Sequence, residues 1–388
     1  MDLTIDQAKG LATKLLQQGQ LQDLNEIIRK LLLARPNDAE VILLAAKYEF
    51  YKGSPTIARS LLHKANVAAP DLIDVKTAIA EFESLDRNLA GHEYRNSHLL
   101  LRSLHADYPV FIQLETVGRC NAKCSFCPHS ELSRKFDAMS DDLFEKIVND
   151  ASAIPSHSPL SFILNGVNET FMDKKIFSRM RMLNERIPHA TLYIYTTMNV
   201  MPIDFFKNLA NIKRIAYWNV SLNVANESEY ESLMGIKFNR TIRNLKRFLD
   251  ENRKHKYIEK PIVISRVATE DEADERFINE CMTLFAEYKH NEEYKPVCKN
   301  RAEWLGHTQS VGGSNRQILM PCSQWFNIGI QCNGLVAHCN MDAKGEFPFG
   351  DVNKESILDI YNSPRFKNLR QNVISRDVIY PCNTCSLY

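Results

Sequence analysis

The sequence predicts an α/β protein: a partial (β/α)6 barrel in mid-chain, preceded by an α-helical domain and followed by a small cysteine-rich module. Three observations carry this. From about residue 105, strand-like apolar runs alternate with amphipathic helical stretches. The first hundred residues read as helical and show a 34-residue internal repeat. The ten cysteines avoid residues 1–119 and 128–280 and concentrate at 120–127 and from 322 onward. A chain of 388 residues is long enough for two or three domains with real cores. They are set here at 1–104, 105–310 and 311–388.

Charge and hydropathy narrow the function classes. Lys+Arg number 48 against Asp+Glu 47, a net +1, which argues against a broad nucleic-acid surface. The longest strongly apolar run, near Val41–Ala46, is far short of the ~18–20 residues of a membrane span. The N-terminus, MDLTIDQAKG, is polar and acidic rather than a signal peptide. The expectation is a cytoplasmic chain, where clustered cysteines bind metal or do redox chemistry more often than they form disulfides.

In the N-terminal region Gly19 and Gly53 stand 34 residues apart, and so do Pro36 and Pro70. Ala46, Gly53, Ala58, Leu62, Ala65 and Pro70 give a small, turn, small, large, small and terminating pattern, and Ala80 continues the register of Ala46. Small residues let paired helices approach, and proline ends the second helix. The pattern resembles about two and a half tetratricopeptide-like repeats. That implies either a groove for a protein partner or a helical cap that packs on the next domain.

The barrel strands are predicted at Val110–Leu114, Leu160–Leu164, Thr191–Tyr195, Ile215–Leu222 and Pro261–Val267. Helices between them include Asp141–Ile154, Lys175–Ile187 and Thr241–Asn252. Five or six such βα units closing partway give an incomplete barrel with its site at the C-terminal strand ends.

After the first strand the chain reads Glu115-Thr-Val-Gly-Arg-Cys120-Asn-Ala-Lys-Cys124-Ser-Phe126-Cys127-Pro-His129. By chance, ~0.007 matches to C-x3-C-x2-C are expected at this cysteine content. Three thiolates so spaced reach three irons of one [4Fe–4S] cube and leave the fourth iron open. A zinc site completed by His129 is the alternative.

This segment resembles the cluster loop of the radical S-adenosylmethionine (SAM) superfamily. The resemblance implies a TIM-like partial barrel, with Cys120, Cys124 and Cys127 holding a SAM-binding [4Fe–4S] cluster and Phe126 beside the adenine. It continues through residues 110–270. Asn165-Gly166-Val167-Asn168-Glu169 resembles the family's GGE-type motif and implies Glu169 as partner of the SAM amino group. Val167 and Asn168 depart from the commoner form, and Thr170 stands where proline is common. Thr197 and Asn199 occupy a T-N-G-type position after the third strand. Ser221 and Asn223 resemble the ribose-contacting segment. Arg266, closing the fifth strand, is implied to hold the SAM carboxylate.

The C-terminal cysteines sit in Pro321-Cys322-Ser-Gln-Trp325, Gln331-Cys332-Asn-Gly334 followed by His338-Cys339-Asn-Met-Asp342, and Cys382-Asn-Thr-Cys385. This resembles the SPASM/twitch extension of radical SAM enzymes, in its shorter form with one auxiliary [4Fe–4S] cluster. The implied ligands are Cys322, Cys339, Cys382 and Cys385, around a hairpin turn at Asn333-Gly334. Cys332 reads as packing, and Cys281 and Cys298 as core or loop thiols.

The resemblance implies reductive cleavage of SAM to a 5′-deoxyadenosyl radical and abstraction of a substrate hydrogen atom. The expected substrate is a small hydroxylated or sugar-like metabolite, oxidised with the auxiliary cluster as electron acceptor and a flavodoxin- or ferredoxin-type donor. A peptide or carrier-bound substrate is the alternative, and a non-catalytic repeat scaffold with structural metal is a third reading. Trp218, Trp325 and Asp342 are candidate substrate contacts.

Overall fold

The computed structural model describes residues 3–18, 20–52, 55–79, 105–299, 303–305, 307–308, 321–371, 373 and 376–385. The repeat positions Gly19, Gly53 and Ala80 lie outside them. The chain divides into two compact units. One comprises Met1–Ala106, Gln317–Ser323 and Lys367–Thr384, and the other Asp107–Arg316, Gln324–Phe366 and Cys385–Tyr388.

The first unit opens with helices α1 (Ile5–Gln17), α2 (Leu21–Ala34), α3 (Ala39–Lys52) and α4 (Pro55–Ala68). Thr4 caps α1 in a reciprocal box: its hydroxyl accepts from Gln7 N, and Gln7 Oε1 accepts from Thr4 N at 3.0 Å. The starts of α1 and α3, and those of α2 and α4, are 34 residues apart, and a further helical segment over 73–79 keeps the interval. Ala12, Ala46, Ala58 and Ala65 are fully buried, so small side chains stand where these helices pack.

In the second unit six parallel strands form the barrel wall: β1 (Phe111–Leu114), β2 (Ser161–Ile163), β3 (Thr191–Thr196), β4 (Ile215–Ser221), β5 (Ile262–Val267) and β6 (Tyr294–Lys299). The five strands expected from apolar runs are present within one or two residues of their predicted ends. β6 was not legible as an apolar run, because Lys295, Pro296 and Lys299 interrupt it. It lies at the edge of the sheet, where proline is tolerated.

The sheet order is β6-β5-β4-β3-β2-β1-β7-β8-β9. β7 (Asn327–Ile330) pairs parallel to β1, and β8 (Leu335–Ala337) returns antiparallel to it, followed by β9 (Gly350–Asp351). The expected turn closes this hairpin. Gly334 adopts φ 94°, a conformation glycine takes readily, and its N–H donates to Gln331 O.

Helices cover the outer face of the barrel. In α5 (Asp141–Ser152) Ser140 caps the N-terminus, and Leu143, Phe144, Ile147, Val148 and Ala151 form the buried stripe. α6 spans Ile176–Arg186, α7 Phe205–Leu209 and α8 Glu227–Met234. α9 runs from Phe238 to His255, longer at both ends than the periodicity predicts. Its last turn carries Arg253, Lys254 and His255, cations that suit a helix C-terminus. α10 (Glu272–Leu284) precedes β6, and α11 (Ile357–Tyr361) follows β9. Trp218 of β4 stacks on Phe248 of α9 at 4.6 Å, so its neighbours Tyr217 and Asn219 take the inner wall.

Candidate functional site

The cysteine loop leaves β1 at its C-terminal end, and buried charge fixes its path. Glu115 is 2% exposed and receives both Nε (2.5 Å) and Nη2 (3.0 Å) of Arg134. Its Oε2 also accepts from Val167 N at 3.1 Å, tying the loop to the segment after β2. A second buried cation, Arg179 of α6, pairs with Asp173 at 2.8 Å and donates to the carbonyls of Thr116 and Met139. Two glycines allow the close passage. A Cβ on Gly166 would meet Glu115 Oε2 at 2.7 Å, and one on Gly118 would meet Arg134 O at 2.0 Å.

Beyond this brace Cys120, Cys124 and Cys127 open onto one cavity of about 620 Å3, within the size of a small-molecule site. Phe126, Thr197, Ser221 and Asn223 line the same cavity. Residues separated by up to 103 positions are thus brought together at the C-terminal strand ends.

Burial pushes the Cys120 thiol up to about 12 and Cys127 to about 11, and raises Cys124 as well. The charges of neighbouring cysteines add to the rise at Cys120 and Cys124. A half-buried set of mutually repelling thiolates needs positive charge in its midst, which a metal cluster supplies. The donor set therefore fits an iron–sulfur cube with three protein ligands. Among the described residues no three or more His, Cys, Asp or Glu are grouped as ligands of a single metal ion, so the fit is to a multi-iron cluster and not to one ion. His129 also lines the cavity, but its Nε2 lies 2.7 Å from Gly118 O, which occupies it as a hydrogen-bond donor.

Three expected site residues brace the cavity rather than line it. Glu169 is 1% exposed, and its carboxylate accepts from Thr196 Oγ1 (2.6 Å), Thr197 N (2.8 Å), Thr197 Oγ1 (2.9 Å) and Phe171 N (3.3 Å). Burial still holds its carboxyl above the usual carboxylate range, against those hydrogen bonds. Asn199 accepts from Asn121 of the cysteine loop at 2.9 Å and donates to Lys237 O and Thr241 Oγ1, joining that loop to α9. Arg266 donates to Asp274 Oδ1 (2.7 Å), Asn223 O (2.8 Å) and Thr269 Oγ1 (2.7 Å). Asn223, at φ 64°, accepts from Val267 N at 2.9 Å, so the ends of β4 and β5 are stitched together.

Other residues were not singled out by sequence. Met234 ends α8 with Sδ 3.4 Å from Cys124 Sγ and 3.2 Å from Asn223 Nδ2, and its carbonyl accepts from Lys123 N at 2.8 Å. The Glu115–Arg134 pair had no local signal, because its members are 19 residues apart without a motif between them. Trp218 belongs to the outer aromatic packing with Phe171, Phe205 and Phe248. Asp342 accepts from the backbone N–H groups of His338, Glu346 and Phe347, which shapes the loop after β8. Trp325 is buried at 1% exposure.

Of the remaining cysteines, Cys332 packs in the barrel core, where burial, with the charge of Glu115 added, raises its thiol to about 12. Cys281 is buried and Cys298 exposed. Cys322 and Cys382 belong to the first unit, and Cys339 and Cys385 to the second. Among the described residues no helix is long and apolar enough to cross a membrane.

Comparison with known proteins adds three findings. Residues 322–386 match the iron–sulfur cluster-binding domain SPASM, and this segment contains Cys322, Cys339, Cys382 and Cys385. No curated protein sequence matches the chain. The fold is similar to that of Streptococcus suis SuiB solved with the precursor peptide SuiA, at 16% identity and a TM-score of 0.51, covering 77% of this chain and 74% of that one. Weaker likenesses are to BtrN in complex with AdoMet and 2-DOIA (15% identity, TM-score 0.44, 71% and 92% covered) and to anSMEcpe with AdoMet and the Cp18Cys peptide (15%, 0.47, 72% and 87%).

Proposed function

We propose that this chain is a radical SAM enzyme that oxidises a small hydroxylated or sugar-like metabolite at a C–H bond, with an auxiliary cluster as electron acceptor. One observation carries the reading. Three thiols, an aromatic ring and the polar groups of Thr197, Ser221 and Asn223 meet in one cavity at the C-terminal mouth of a parallel barrel. The match of residues 322–386 to an iron–sulfur domain supports the second cluster.

In this reading Cys120, Cys124 and Cys127 hold the SAM-binding [4Fe–4S] cluster, and Cys322, Cys339, Cys382 and Cys385 hold the auxiliary one. When bound, the cluster and SAM would supply radical chemistry at a substrate C–H bond. The chain's own residues bind and orient. Phe126 offers an aromatic face to the adenine, while Thr197, Ser221 and Asn223 present hydroxyls and a carboxamide to the rest of SAM. Glu169, Asn199 and Arg266 act as positioning residues, since their polar atoms already hold strand ends and the cysteine loop. A flavodoxin- or ferredoxin-type protein is the proposed electron donor, and the N-terminal tetratricopeptide-like helices a surface for a protein partner.

A peptide or carrier-bound substrate is the second reading, supported by the fold-level likeness to SuiB, whose structure holds a precursor peptide. Label transfer from deuterated metabolites or peptides into 5′-deoxyadenosine separates the two.

Anaerobic reconstitution is expected to give about eight irons and eight sulfides per chain. Reduction in the presence of SAM should then release 5′-deoxyadenosine, and Cys124→Ala should abolish that release. Cleavage that survives Cys124→Ala, or a colourless zinc-loaded wild type, overturns the reading and favours a structural-metal scaffold.

A further inference from the structure

The inner wall of the barrel carries a polar cluster that the reading above leaves without a task. Lys299 ends β6 opposite Val267 of β5, and Val267 lines the cysteine cavity. Its Nζ donates to Asn219 Oδ1 at 2.7 Å and lies 5.0 Å and 5.5 Å from the ring centroids of Tyr195 and Tyr217. Asn219 is 1% exposed, and its Nδ2 reaches Ser221 Oγ, another cavity-lining group, at 3.4 Å. Three strands, β3, β4 and β6, therefore converge on one ammonium beside the cavity.

What meets that ammonium is unusual. β3 contributes a phenol ring, and β4 a phenol ring and a carboxamide. Among the described residues Lys299 makes no ion pair with a carboxylate, although the outward-facing lysines Lys175, Lys237, Lys246 and Lys254 all do. Burial is the cause that lowers Lys299 to about 8. Ring faces and an amide oxygen favour the cation without neutralising it. With one N–H spent on Asn219, an ammonium has two donors left for a ligand.

We propose that Lys299, held by Asn219, Tyr195 and Tyr217, anchors an oxyanion of the substrate, so that the molecule processed here is a hydroxylated metabolite bearing a carboxylate or phosphate. This rests on the radical SAM reading and names the substrate class for it. Lys299 serves as the fixed counter-charge, and the hydroxylated part of the molecule extends toward the cysteine cavity past Ser221 and Val267.

The test uses the full-length, reconstituted, SAM-loaded protein with its lysines labelled uniformly with 13C and 15N, which leaves every ammonium N–H in place. The Lys299 resonance is assigned by its loss in Lys299→Arg. Its midpoint should lie near 8, below the ordinary 10.5. Potassium acetate or phosphate, replacing chloride at equal ionic strength, should raise it by at least about half a unit while other lysines stay put. A response to acetate alone indicates a carboxylate, and to phosphate alone a phosphate ester.

A midpoint unmoved by both anions overturns the proposal. So does one moved by SAM alone with no further anion response, which assigns Lys299 to the SAM carboxylate. Asn219→Asp provides the second variant, because an internal carboxylate should raise the midpoint and cancel the anion response. 5′-Deoxyadenosine is measured on the same samples. An anion response without SAM cleavage removes the radical reading alone, and cleavage without an anion response removes only the Lys299 assignment.

Discussion

A methyl group at position 118 would stand 2.0 Å from the carbonyl oxygen of Arg134, a contact no side chain can make. Backbone cannot yield there without moving Arg134, whose guanidinium holds Glu115. Gly118→Ala should therefore destabilise the second unit by about 1–3 kcal/mol or more. The expected outcome is a lower Tm together with reduced iron loading; unchanged Tm and iron content would show that the loop has room to shift. At this scale the sequence was readable where chemistry is local. C-x3-C-x2-C requires only that nearby thiols turn inward, and all three do. Roles that depend on distant partners were not readable. Glu169 finds the hydroxyls and N–H of Thr196 and Thr197, 27 and 28 residues away, because a fully buried carboxylate must be satisfied by whatever donors surround it.

At the scale of elements, Arg253 shows how the last strand is placed. From the final turn of α9 it forks onto Glu293, just ahead of β6, at 2.5 Å and 2.8 Å, and also donates to Glu287 O. The guanidinium holds the Glu293 carboxyl at about 2, against an ordinary 4.5. Because the folded value is depressed, this stabilisation is complete above pH 4.5 and fades as pH falls toward 2. Arg253→Met should thus lower Tm near neutrality and converge with the wild type in acid, as followed by thermal melts across pH. A constant difference between the two proteins down to pH 2 would contradict this. The same region shows a limit of pattern reading. β6 lacks the apolar run of a buried strand because it is an edge strand whose inner side carries Lys299.

For the whole molecule, six parallel strands continue through β1 into the β7–β8 hairpin, so barrel and C-terminal hairpin share one sheet. The hairpin was legible from Asn333-Gly334, but its pairing partner was not, since β1 and β7 are more than 200 residues apart and backbone hydrogen bonds carry no sequence label. The N-terminal helices keep a 34-residue interval, consistent with the periodic small residues of the sequence. If the C-terminal cysteines serve electron transfer, Cys382→Ala should retain SAM cleavage yet lose product, as measured by chromatography of both. Intact product formation would reduce that site to a structural staple.

By itself the sequence determined what depends on short spacing: the βα alternation, the cysteine loop and the hairpin turn. Each follows from chain connectivity and side-chain periodicity, which act over a few residues. Only the tertiary structure decided which polar groups line the cavity and which brace it, and that Lys299 meets Asn219 across 80 residues. Such contacts arise from packing and the need to satisfy buried charge, and these constrain positions in space rather than positions along the chain.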